Sequence, residues 1–270
     1  MGKKRKGVLD YIAGFFRFII NIIFGFFKLI YSTAELIVKK LEHRSEKVEE
    51  EKEKTKSGFE HLIEMENVGG SLEGFEKNLY SKKSTIGLIL GARGSGKSAV
   101  GMRILENFAA KTKKKLYAIG FERETLPKWI KIPENIKKIE GDSFVLIDEA
   151  GIEFSSRDSM KNANKLLSQI ILISRHKNLS ILFISQNSSN IEINTIRQSD
   201  YLILKKPSLL QLDFERKKIK EIYLGVDEKF KKYENMPGVN YIYSDWYLGF
   251  ATNNLPSFWS EGLSKSYRKK

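Results

Sequence analysis

Eight residues, Gly91-Ala92-Arg93-Gly94-Ser95-Gly96-Lys97-Ser98, lie between an apolar run, Ile86–Leu90, and a stretch of helical spacing from Ala99 to Ala110. They match the pattern G-x-x-x-x-G-K-[ST]. The chain must therefore leave a buried strand, turn tightly through glycines and enter a helix. That order belongs to α/β folds in which the turn cradles phosphate. Glycines let successive backbone N–H groups face inward around a polyanion, and the helix N-terminus adds partial positive charge. In this reading Gly91, Ala92, Arg93, Gly94, Ser95, Gly96, Lys97, Ser98 and Ala99 line the phosphates of ATP. Lys97 reaches the β- and γ-phosphates, and Ser98 is a ligand of Mg²⁺.

A second landmark follows about fifty residues later. Phe144-Val145-Leu146-Ile147-Asp148-Glu149 is a buried strand that ends in two carboxylates. Beside a phosphate loop, Asp148 is expected to hold Mg²⁺ and Glu149 to polarise the attacking water. A third strand, Ile181–Ser185, ends in Gln186, whose amide suits a sensor of the γ-phosphate or of that water. Strands are predicted at 85–90, 115–121, 143–148, 180–185 and 200–205, with helices at 97–110 and 161–175 between them. The alternation predicts a parallel sheet with helices on both faces, its site at the C-terminal strand ends. Arg175 closes the second helix and is the first candidate for a cation acting on a neighbouring subunit's phosphates. Arg157 is the second candidate.

Outside this domain the pattern changes. Residues 8–38 form the most apolar stretch and follow Lys3-Lys4-Arg5-Lys6. Asp10, Gly14, Arg17, Asn21, Gly25, Lys28, Ser32, Glu35 and Lys39 recur every three or four residues, a narrow polar stripe on an otherwise apolar helix. Three arrangements fit: a transmembrane helix, an in-plane amphipathic helix, and the core of an oligomer. Cations at both ends favour an in-plane or re-entrant element over a single span, since the ATP site must remain inside. Residues 40–57 are nearly all charged and read as a solvated helical stalk or a disordered spacer. The domains expected are 1–39, a basic N-terminus with a membrane-associating helix; 40–65, a charged helical linker; 66–225, the P-loop domain; and 226–270, an aromatic extension with a basic tail.

The chain has no cysteine, which excludes disulfides, thiolate metal sites and cysteine nucleophiles. Its three histidines lack metal-ligand spacing. A net charge of +14 suits a polyanionic partner, either nucleic acid or anionic lipid. Gly69-Gly70-Ser71 marks a turn. A helix is predicted from Ser208, its N-cap, to Tyr223, and its Arg216-Lys217-Lys218-Ile219-Lys220 end is either a DNA-facing patch or a solvated face. Alternation over 240–247 predicts a strand. The aromatic residues around it, Tyr241, Tyr243, Trp246, Tyr247, Phe250 and Trp259, suit base stacking or the packing of a C-terminal lobe.

The segments GARGSGKS (91–98), FVLIDEAGIEF (144–154), SRHKNLSILFISQNS (174–188) and IRQSDYLILKKPS (196–208) together resemble the FtsK–HerA group of P-loop ATPases. Within it they are most similar to viral genome-packaging ATPases and to the zonula-occludens-toxin-like ATPases of filamentous phages. The resemblance implies a RecA/ASCE-like fold and a hexameric ring that couples ATP hydrolysis to pulling double-stranded DNA, or to extruding a phage particle. It implies Lys97 and Ser98 as the Walker A pair, Asp148 and Glu149 as the Walker B pair, Gln186 as sensor and Arg175 in the arginine-finger region. Capsid or assembly proteins, and a place at the cytoplasmic face of a membrane or in a virion, follow from the same comparison. An apolar segment before the ATPase domain departs from the family's order, in which membrane helices follow it.

Overall fold

The computed structural model describes residues 56–149, 159–260, 262 and 263, together with 28, 30, 31, 33–35 and 37–40 near the N-terminus. The described N-terminal residues are helical and belong to a compact unit of their own. Among the described residues no helix is long and apolar enough to cross a membrane. Most of the 8–38 segment, most of the charged stretch after it, and Arg157 lie outside the described residues.

From residue 63 onward the apolar runs join one nine-stranded sheet in the order β1-β9-β8-β7-β2-β6-β5-β3-β4. Five strands stand where the apolar runs predict them: β2 (Ile86–Leu90), β3 (Lys115–Ile119), β5 (Ser143–Asp148), β6 (Ser180–Ser185) and β7 (Tyr201–Leu204). With the short β4 (Ile130–Lys131) they are all parallel. Their inner members read as unbroken apolar runs because both faces of the sheet are covered. Helices fill most of the connections: α1 (Leu72–Ser81), α2 (Lys97–Lys111), α3 (Ser159–Ser174), α4 (Ile193–Arg197), α5 (Leu209–Asp213) and α6 (Lys217–Lys232).

The purely parallel sheet predicted from alternation is corrected on one side. β1 (Ile63–Gly70), β8 (Asn240–Ser244) and β9 (Tyr247–Thr252) form an antiparallel wing on β7. β8 and β9 are joined by Asp245-Trp246 alone, and a two-residue connection permits only antiparallel neighbours. The aromatic C-terminal segment thus extends the sheet instead of forming a lobe on it. Phe250 packs against Phe230 and Tyr241, with ring centroids 5.1 and 5.0 Å away, so these rings serve the core. The Gly69-Gly70 turn is the end of β1, and Ser71 then caps α1 by accepting from Gly74 N at 3.1 Å.

Two apolar layers sandwich the sheet. One centres on α1 and α2 and includes Phe75, Leu79, Val100, Leu105 and Phe108; the other includes Leu167, Ile170, Ile219, Tyr223 and Phe230 of α3 and α6. Polar side chains on α2 bind segments that cover it. Glu106 accepts from Gly58 N and Ser257 N, both at 3.0 Å, and Asn107 Oδ1 accepts from Glu60 N at 3.0 Å. Arg103 pairs with Glu106 at 3.0 Å and donates to Asn254 O at 3.2 Å. Residues 58–60 are therefore fastened to α2.

One tight fit sets the position of β7 against β2. A Cβ on Gly87 would stand 2.1 Å from Cζ of Tyr201, a residue buried between Phe75 and Trp246. Gly87→Ala is expected to destabilise the fold by about 1–3 kcal/mol through overpacking. A lowered urea midpoint with an unchanged slope checks this.

Candidate nucleotide site

The loop between β2 and α2 carries left-handed glycines where the pattern requires them. Gly94 has φ 78° and Gly96 φ 87°, conformations that side chains resist. Gly96 is also the residue before α2, whose first turn has no side-chain cap. Its N–H groups are therefore presented to a ligand, with the helix dipole behind them. The Ser95 hydroxyl is buried and has no hydrogen-bond partner among the described residues. An anion acceptor in the loop would satisfy all of these donors together.

Lys97 begins α2 and folds back across the loop. Its Nζ donates to Gly91 O and Ala92 O, each at 2.8 Å. Burial lowers its ammonium to about 8, against the pull of Asp148 and Glu149. The ammonium is thus desolvated by its surroundings, and a phosphate would favour its charged form. Arg93 is exposed at the loop tip, and Ala99 is buried under the loop.

Parallel pairing of β5, β6 and β2 brings the acidic strand end to this loop. Ser98 Oγ donates to Asp148 Oδ2 at 2.7 Å across fifty residues of sequence. Asp148 and Glu149 are only 3% and 4% exposed. A hydroxyl and a carboxylate oxygen that meet at one point are hard donors of the kind Mg²⁺ takes while keeping phosphate and water as its remaining ligands. Ser98 and Asp148 fit that ion, and Mg²⁺ bound there would neutralise phosphate charge. Glu149 extends the acidic end beyond Asp148.

Gln186 is exposed and follows β6, whose last residue, Ser185, pairs with Leu90 at the end of β2. The segment that follows Gln186 is fixed by Gln211 and Glu215, which the sequence reading did not single out, and by Arg216, which it read as part of a basic patch. Gln211 Nε2 donates to Gln186 O, and Glu215 accepts from Ser188 N at 3.1 Å and also from Ser188 Oγ. Arg216 donates to Ser188 O at 3.0 Å and Ile191 O at 2.6 Å. These contacts break the helix predicted from Ser208 to Tyr223. Ser208 does cap α5, accepting from Gln211 N at 3.2 Å, but the chain turns at Phe214–Arg216 so that Glu215 points inward. Arg216 is therefore spent on the loop at 188–191. Lys220 and Lys218 are engaged with Asp213 and Glu221 at 3.3 and 3.6 Å, so this basic run is largely self-paired.

Arg175 is exposed in the turn before β6. The neighbouring turn residues hold the N-terminal edge of the sheet: Asp142 N donates to Lys177 O at 2.8 Å, and Ser84 Oγ to Leu179 O at 2.7 Å. Arg175 is thus a full strand, about 20 Å, from the loop of its own chain. Any action on phosphate must be on another copy.

A further residue enters the site unannounced. Lys205 follows β7, and its backbone N donates to Leu90 O at 2.8 Å, which sets its side chain against the loop. Within the segment 196–208 it looks like one of two solvated lysines. Only the order β7-β2-β6 reveals that this strand end adjoins the phosphate loop.

Residues 85–200 match the family model described as Zonular occludens toxin (Zot). No curated protein matches the chain. Among solved structures it is similar to the genome packaging NTPase B204 of Sulfolobus turreted icosahedral virus 2 in complex with ATP-gammaS. That likeness has 13% identity, covers 64% of this chain and 99% of the other, and has a TM-score of 0.44. It is also similar to ATPases 2 and 3 of Thermomonospora curvata EccC, with 13% identity over 70% of this chain and 41% of that one, TM-score 0.46. The pCW3 conjugation coupling protein TcpA is similar at 14% identity over 74% of this chain and 66% of that one, TM-score 0.46.

Proposed function

We propose that this P-loop ATPase, whose residues 85–200 are of the Zot type, is a membrane-associated motor that spends ATP to move double-stranded DNA in packaging or transfer. The observation that carries the reading is the convergence of Lys97, Ser98, Asp148 and Glu149 on one glycine loop, as hydrolysis requires. The loop and Lys97 bind the triphosphate, and Ser98 and Asp148 hold Mg²⁺. Glu149 takes the proton of the attacking water, and Gln186 reports the γ-phosphate. A nucleotide-gated scaffold would need no buried carboxylate beside the metal residues, so Glu149 separates a motor from a switch.

Three features support the remaining parts. The +14 charge favours a polyanion. The apolar segment 8–38 supplies a membrane attachment, which puts the domain at the cytoplasmic face or in a virion. Leu209, Leu210 and Phe214 are exposed beside the Gln186 loop, where a ring of copies, six in the proposed assembly, would bury them. In such a ring Arg175 would reach a neighbour's phosphates.

A second reading is an assembly or secretion ATPase with a protein load. It is favoured by the same exposed apolar residues and by the self-pairing of the basic run at 216–220. ATP hydrolysis of the full chain is measured with and without double-stranded DNA over a salt series. DNA is expected to raise the rate, and the effect to fall steeply with salt. An unchanged rate at low salt overturns the DNA reading in favour of a protein load.

A further inference from the structure

Lys205 spans the phosphate loop from its first glycine to its last. A Cβ on Gly91 would stand 2.5 Å from Cβ of Lys205, and one on Gly96 would stand 3.7 Å from its Nζ. The side chain is 2% exposed, and its ammonium has no hydrogen-bond or ion-pair partner among the described residues. Lys97 has two carbonyls and the field of two carboxylates, whereas the Lys205 ammonium lies beside Gly96 and feels Lys97 as a like charge. Burial and, second, the neighbouring Lys97 lower the Lys205 ammonium to about 7.

A buried cation set against a like charge is unfavourable unless an anion completes the site. The arrangement is asymmetric across the loop. β5 brings Asp148 on one side of β2, and β7 brings Lys205 on the other. We propose that Lys205 is a second phosphate-binding cation, donating to the phosphate chain of the bound nucleoside triphosphate from the β7 side. This rests on the nucleotide reading of the loop. It assigns the β7 end a part in binding, where the metal residues gather at the β5 end.

The test uses the full chain with Lys205→Met and Lys205→Arg, titrated with ATPγS and with AMP by calorimetry, and a thermal melt without nucleotide. Lys205→Met is expected to weaken ATPγS about 10- to 100-fold, the worth of a hydrogen bond to a charged group. AMP, with a single phosphate, should lose much less. Lys205→Arg keeps the charge and should restore most of the affinity. The nucleotide-free melt of Lys205→Met should be unchanged or higher, because an unpaired buried charge has gone. Wild-type affinity for ATPγS in Lys205→Met overturns the proposal. So does an equal loss for both nucleotides with a lowered melt, which would make Lys205 a strut of the loop. If the wild-type chain binds no ATPγS, the nucleotide reading itself fails and takes this inference with it.

Discussion

Lys97→Ala is expected to cut ATP turnover about 10²- to 10³-fold, the loss seen when one preorganised donor leaves a reacting site. Affinity for ATPγS should fall about 10- to 100-fold at the same time. The reason lies in the geometry of the loop. Lys97 Nζ sits 2.8 Å from both Gly91 O and Ala92 O, so the ammonium is held against the cradle by the loop itself. No solvated lysine can replace it, because its surroundings are buried and its charge is desolvated in advance. The fold should survive, since alanine removes a cation whose burial is itself unfavourable. Calorimetric titration with ATPγS and phosphate-release assays check both effects. Turnover equal to wild type would show that the loop does not bind the reacting phosphates.

Glu149→Gln separates binding from chemistry. The amide keeps the volume of the carboxylate and cannot take a proton. ATPγS affinity is expected to stay within about threefold of wild type, while turnover falls about 10²- to 10⁴-fold, the range of general-base catalysis. Because Glu149 is 4% exposed at the end of β5, bulk solvent offers no easy substitute for it. Single-turnover hydrolysis with saturating ATP and Mg²⁺ is the direct measurement. A variant that hydrolyses ATP at the wild-type rate would remove Glu149 from the mechanism and revive the scaffold reading.

Much of this was legible before the structure, and the legible parts share a physical cause. The phosphate loop is a local object: glycine at 94 and 96 is demanded by backbone angles within the loop itself. The strand ends at Asp148, Glu149 and Gln186 could be read because parallel strands in a covered sheet are short apolar runs with abrupt polar ends. Ser208 as an N-cap could be read for the same reason, since a cap acts within one turn. The expected helix after it could not, because Glu215 and Arg216 exchange helical geometry for hydrogen bonds to residues 188–191, more than twenty positions back.

Residue type and order along the chain are enough to specify a glycine loop between strand and helix, a serine at the helix start, and two carboxylates after a strand, because each depends on neighbours a few bonds away. Which strands lie side by side depends on hydrophobic burial summed over the whole sheet, and no short segment encodes it. That long-range pairing added the antiparallel wing on β7, folded the aromatic tail into the core, and brought Lys205 against the glycines of a loop more than a hundred residues earlier.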